Sequence, residues 1–213
     1  PHLNCEEEIG SSSVDGLVAH WKLEGNAYDC SLNNNHGTIH GAVESDRGLL
    51  FDGVNDYVSI SQALNIRNND FSIVGWVYQT GSKMILYAQS QDTSDGSYVL
   101  TREVWSSVRN NEQPSRETVT AGYTFSRNKW THIASVWDQN TKTLTAYING
   151  EAVNTSINTN IGTVDAPTHI SIGYYLDNAG LDHHYAEGKI ADVRIYSRIL
   201  LADEIKSLYQ LTK

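Results

Sequence analysis

At 213 residues the chain suits one all-β domain or two small ones, and 39% hydrophobic residues with only 3 Pro suffice for a buried core, so wholesale disorder is excluded. A formal net charge of -10 without any Lys/Arg cluster repels phosphate backbones, which disfavours nucleic-acid and anionic-membrane partners and leaves cations and neutral ligands. No apolar run reaches the length of a membrane span and no targeting segment is visible; the chain opens on Pro1 rather than Met, as it would after loss of a leader.

Residues 1 to 15, with Glu6, Glu7, Glu8 and Ser11 to Ser13, read as a solvated tail. The 2 cysteines, Cys5 and Cys30, lack zinc spacing and read as one disulfide tying that tail to the body; two free thiols are the alternative. Such a bond is worth roughly 3 kcal/mol for a loop of this order and needs an oxidising compartment. Asn154-Thr155-Ser156 is a glycosylation sequon, in keeping with secretion.

Leu17 to Leu23 alternates as a strand with Trp21 toward the core. The next stretch, to Gly41, is dense in Gly, Asn and Asp and reads as a loop. Its oxygens, from Glu24, Asn26, Asp29, Ser31 and Asn33 to Asn35, suit either an Asx-rich turn or a hard cation. His36 and His40 would form a zinc pair on a helix, but Gly37 and Gly41 argue against one. Residues 49 to 60 hold two apolar runs split by an Asp-Gly and Asn-Asp turn, which predicts a hairpin. Phe71 to Val77 is a strand with Trp76 buried.

Met84 to Gln89 and Tyr98 to Thr101 read as two more strands. From Arg102 to Arg116 the alternation is lost, predicting a long irregular passage. Trp105 within it either pins the loop or offers a sugar-stacking ring beside Arg102 and Arg116. Lys129 to Val153 predicts two alternating strands and a tight turn at Asn149-Gly150, with His132 a core histidine. His169 to Tyr174 is a strand, followed by a polar surface loop over 175 to 185 whose Tyr175, Asp177 and His183 are candidate ligand contacts. The adjacent His183 and His184 would point to opposite sides if extended, a poor geometry for one metal. Ile190 to Tyr196 closes the strand series. Ala202, Ile205, Leu208 and Tyr209 then recur at helical spacing, with Asp203 and Glu204 at the positive end of that helix.

Several phrases, namely Gly25 to Thr38, Leu49 to Val58, Phe71 to Val77, Trp130 to Ala134, Leu144 to Gly150 and Gly188 to Leu208, resemble the laminin G-like, pentraxin-related branch of the concanavalin A-like jelly-roll superfamily. The resemblance implies an all-β fold, a two-sheet antiparallel jelly-roll sandwich with a short C-terminal helix, over residues 16 to 213. First and last strands would be neighbours. It further implies a structural calcium held by Asn26, Asp29 and Asn35 and closed by Asp192, with Leu32 departing from the usual Gly in that loop. The expected function is a secreted, non-catalytic, lectin-like domain whose partner is a glycan or cell-surface glycoprotein, with no membrane insertion and oligomers possible. A protein-protein adhesion module of the same fold is the alternative. Related hydrolases carry Glu-x-Asp-x-x-Glu on one strand; that pattern is absent here, as are Gly-x-Ser-x-Gly and His-Glu-x-x-His, so an enzyme ranks lowest.

Overall fold

The computed structural model describes Cys5 and residues 15–62, 64, 66, 68–90, 98–102, 105–110, 118–162, 169–177 and 182–213. Apart from Cys5 and Asp15, the expected tail lies outside these residues, as does Arg116. In chain order the strands are β1 (Leu17–Trp21), β2 (Gly37–His40), β3 (Val43–Glu44), β4 (Leu49–Asp52), β5 (Tyr57–Ile60), β6 (Phe71–Gln79), β7 (Ile85–Ser90), β8 (Tyr98–Arg102) and β9 (Trp105–Arg109). There follow β10 (Thr118–Gly122), β11 (Trp130–Asp138), β12 (Thr143–Ile148), β13 (Glu151–Ile157), β14 (His169–Ile172), β15 (Tyr174–Asp177), β16 (Asp182–Tyr185), β17 (Glu187–Tyr196) and the helix α1 (Ala202–Leu211).

Two large antiparallel sheets form the sandwich, as the sequence predicts. One runs β13-β12-β11-β6-β17-β4-β3, with β1 also beside β17; the other runs β10-β9-β8-β7-β14-β5-β2. The long β17 meets β4 through Glu187 to Ile190 and β1 through Val193 to Tyr196, so the first and last strands are neighbours. Inward-facing Trp21, Phe51, Phe71, Ile73, Ile190, Val193 and Ile195 of one sheet pack with Val58, Tyr87, Ile170 and Ile172 of the other. The outer face of the first sheet is covered as well. There α1 lays Ile205 and Leu208 over Val74, Val136, Tyr147 and Tyr196, so β6 is buried on both faces and is mostly apolar rather than alternating. Trp76 is buried on this outer face rather than between the sheets, its ring 5.2 Å from that of His132 and 5.7 Å from that of Tyr209. Arg198 and Glu204, 2.7 Å apart, tie the entry of α1, and the Leu201 N–H donates to Glu204 Oε2 at 2.8 Å. A disulfide joins Cys5 to Cys30.

Three expectations are corrected. The runs at 49 to 60 are not a hairpin, because β4 belongs to the first sheet and β5 to the second. Asp52 bends the connection by accepting from the Val54 N–H at 2.8 Å, and Asp56 Oδ2 accepts from the Asp52 N–H at 3.0 Å. The passage from Arg102 is not irregular throughout, since Arg102 ends β8 and Trp105 opens β9. The segment 175 to 185 is not a polar loop but mostly the two-stranded ribbon β15/β16. It begins at Gly173, whose φ of +83° ends β14 and where a Cβ would lie 2.4 Å from the Phe51 ring.

Candidate functional site

Three of the four residues expected to share a calcium ion, Asp29, Asn35 and Asp192, converge on β1, but around a histidine, while Asn26 stays within its own loop. The carboxylate of Asp29 accepts from the His20 and Ser31 N–H groups, both at 2.9 Å, through Oδ1. Its Oδ2 accepts from Ser31 Oγ at 2.8 Å and the Asn35 N–H at 2.9 Å. The Asn35 side-chain amide donates to the Val18 carbonyl at 2.8 Å, and the Asn35 carbonyl accepts from Trp21 Nε1 at 2.8 Å. Asn26 closes an Asx turn on the Tyr28 N–H at 3.0 Å. On the other side of His20, its ring Nε2 lies 2.7 Å from Asp192 Oδ1, and Arg194 Nε donates to the same oxygen at 2.9 Å. Asp192 stands at a break in the β17–β6 register with a φ of 51°, which turns its carboxylate toward this pair.

Burial pushes the Asp192 carboxyl up, but the His20 hydrogen bond and the Arg194 charge more than offset it and leave it well below the usual carboxylate range. A hard cation needs several oxygens whose lone pairs face one point. Here N–H and O–H donors occupy both oxygens of Asp29, and Arg194 with His20 occupy Asp192. The set Asn26, Asp29, Asn35 and Asp192 therefore does not fit calcium in this arrangement. Among the described residues, no group of three or more His, Cys, Asp or Glu could hold a metal ion.

The expected ligand contacts separate. Arg102 and the start of β9 lie beyond β7 from β14, and the Trp105 side chain lies outside the described residues. Tyr175 is buried with its ring beside His184, while His183 sits with Tyr174, so the two histidines do take opposite faces. Asp177 is the last residue of β15, paired with Asp182.

What the ribbon does build is a continuous aromatic surface. Tyr174 of β15 and Tyr185 of β16 are cross-strand partners with ring centroids 4.8 Å apart. Tyr57 of β5 lies 5.4 Å from Tyr174 and stacks on His40 of β2 at 4.2 Å. His183 completes the row, its ring nearly parallel to that of Tyr185 at 6.0 Å and its Nδ1 3.0 Å from the Tyr174 hydroxyl. His183 is exposed and the other four are partly exposed. Burial, then the neighbouring Tyr185 and Tyr57, push the Tyr174 phenol up to about 12, so its hydroxyl stays protonated near neutrality. Ring faces that stack on C–H surfaces, with hydroxyl and imidazole groups at their edges, suit a saccharide. Of these residues sequence reasoning found only His183; the Tyr174, Tyr185 parity across a short ribbon was the available signal.

A sequence model described as the Concanavalin A-like lectin/glucanases superfamily matches residues 52–206. The chain belongs to that superfamily. None of the curated proteins matches this member of it. Among solved structures it is similar to domain 4 of AbnA, a GH43 extracellular arabinanase from Geobacillus stearothermophilus, in complex with arabinotriose. The TM-score is 0.67 at 19% identity, covering 91% of this chain and 98% of that one. It is also similar to the binding domain of Paraclostridial Mosquitocidal Protein 1, with a TM-score of 0.66 at 19% identity over 93% of this chain and 53% of that chain. The binding domain of botulinum neurotoxin DC, in complex with rat synaptotagmin II, gives 0.66 at 14% identity over 94% and 52%. The chain thus spans about half the length of each toxin binding domain, and at these identities the likeness is one of fold.

Proposed function

We propose that this superfamily member is a secreted, non-catalytic carbohydrate-binding module whose ligand stacks on His40, Tyr57, Tyr174, His183 and Tyr185. The observation that carries the reading is the unbroken row of partly exposed rings across β2, β5, β15 and β16. The fold neighbour bound to arabinotriose supports a short neutral oligosaccharide as the ligand class, and the disulfide supports an oxidising, extracellular setting. No calcium enters this reading, because His20 and Arg194 take up the acidic groups that would have held it.

A glycan array that includes arabino-oligosaccharides, run with and without chelator and with Tyr174→Ala beside the native chain, tests the proposal. Chelator-insensitive binding that Tyr174→Ala weakens roughly thirtyfold is expected. Shortening of the bound glycans would contradict the non-catalytic part, and an array without signal would contradict the saccharide. The neurotoxin neighbour in complex with synaptotagmin favours a second reading, recognition of a protein through the same rings; a silent array with capture of a purified protein receptor would support it.

A further inference from the structure

A second cleft, of about 220 Å³, opens beside β17, lined by Lys22, Glu24, Arg47 and Gly48 together with Asp192, Arg194 and the residues that follow α1, Thr212 and Lys213. It shares no residue with the aromatic row. We infer that this cleft binds one six-membered-ring anion, a sugar bearing a carboxylate or phosphate, through Arg47 and Lys22.

The argument begins with charge. The lining sets four cationic side chains, Lys22, Arg47, Arg194 and Lys213, against the two carboxylates of Glu24 and Asp192, on a chain whose net charge is -10. Asp192 is already engaged by His20 and Arg194, and the neighbouring Asp46 by Lys189. Among the described residues, Arg47 has no carboxylate within ion-pair distance. Its guanidinium carbon sits 4.4 Å from the Trp76 ring centre and 4.9 Å from that of Trp130, and Nη2 donates to the Thr212 carbonyl. Burial pushes the Arg47 guanidinium down, and Asp192 only partly restores it. A fixed, partly desolvated guanidinium with its faces on indoles leaves the edge of its planar fork for an anionic oxygen pair. Since roughly 150 Å³ accommodates benzene, the cleft has room for one substituted ring.

Indole N–H signals of the full chain report the site, because Trp76 and Trp130 flank Arg47 whereas Trp21 and Trp137 are in the core. Titration with glucuronate and with glucose 6-phosphate is expected to shift Trp76 and Trp130 but not Trp21 or Trp137, the tighter acid showing whether carboxylate or phosphate is preferred. Lys22→Glu should weaken the tighter acid by about tenfold, the worth of one charge-assisted hydrogen bond. Neither glucose nor inorganic phosphate should match it, and Tyr174→Ala should leave it unchanged. Absence of these shifts with both acids would overturn the inference, as would glucose or inorganic phosphate binding as tightly.

Discussion

The junction around His20 and the row of rings around Tyr174 are built from similar materials, histidines beside polar or aromatic partners, yet they differ in what is left over. At the junction every acceptor of Asp29 meets a donor from β1 or its own loop, and Asp192 meets both a ring nitrogen and a guanidinium. In the row the rings pack on one another and remain partly exposed. Polar groups saturated by the protein hold the chain together; ring surfaces left open are free to recognise something else.

The largest effect that should sharpen the contrast is on stability. Asp192→Ala removes the carboxylate that pairs with the buried Arg194 and should destabilise by about 3 to 5 kcal/mol in urea unfolding. If the variant still folds, glycan binding at Tyr174 should survive. Next, stability should fall on acidification. The buried His132 is pushed down to about 4, below its unfolded value near 6.5, so the folded state binds fewer protons between them. Its contribution is present above the unfolded pKa and lost as pH falls from about 6.5 to about 4, roughly 3 kcal/mol in all. His132→Leu should flatten that decline in urea titrations at successive pH values. The depressed Asp192 carboxyl adds a further loss below about 4, its unfolded value. A smaller loss, about 2 kcal/mol or roughly thirtyfold in Kd, is expected of glycan binding in Tyr174→Ala, with Tm nearly unchanged because the ring is partly exposed. Smallest of all is the response to chelator, which should leave Tm unmoved; a drop would show a cation where the hydrogen bonds place none.

These contrasts also explain what could be read in advance. Alternation along Leu17 to Trp21 and Trp130 to Ile148, and the apolar stretch of β6 with the amphipathic α1, are local patterns, so the strands and the helix followed from them, while the two-sheet sandwich was implied by the family resemblance. The Asp52 to Asp56 turn looked like a hairpin because turn chemistry reports a reversal, while membership of one sheet or the other is decided by packing. Counting the oxygens of Asn26, Asp29 and Asn35 could not say where the hydrogens of His20, Ser31 and Arg194 would point. The rings of His40, Tyr57 and Tyr174 come from three strands whose neighbourhood depends on β14 lying beside β5 and on the bend at Gly173, neither of which is a local property.

The central claim is that the open rings, and not the saturated junction, meet the ligand. Ring-proton NMR during titration with the glycan selected on the array tests it most directly. Shifts at Tyr57, Tyr174, His183 and Tyr185, with His20 and Trp21 unmoved, are the result predicted. Shifts centred on His20 and Trp21 with the tyrosines silent would contradict it.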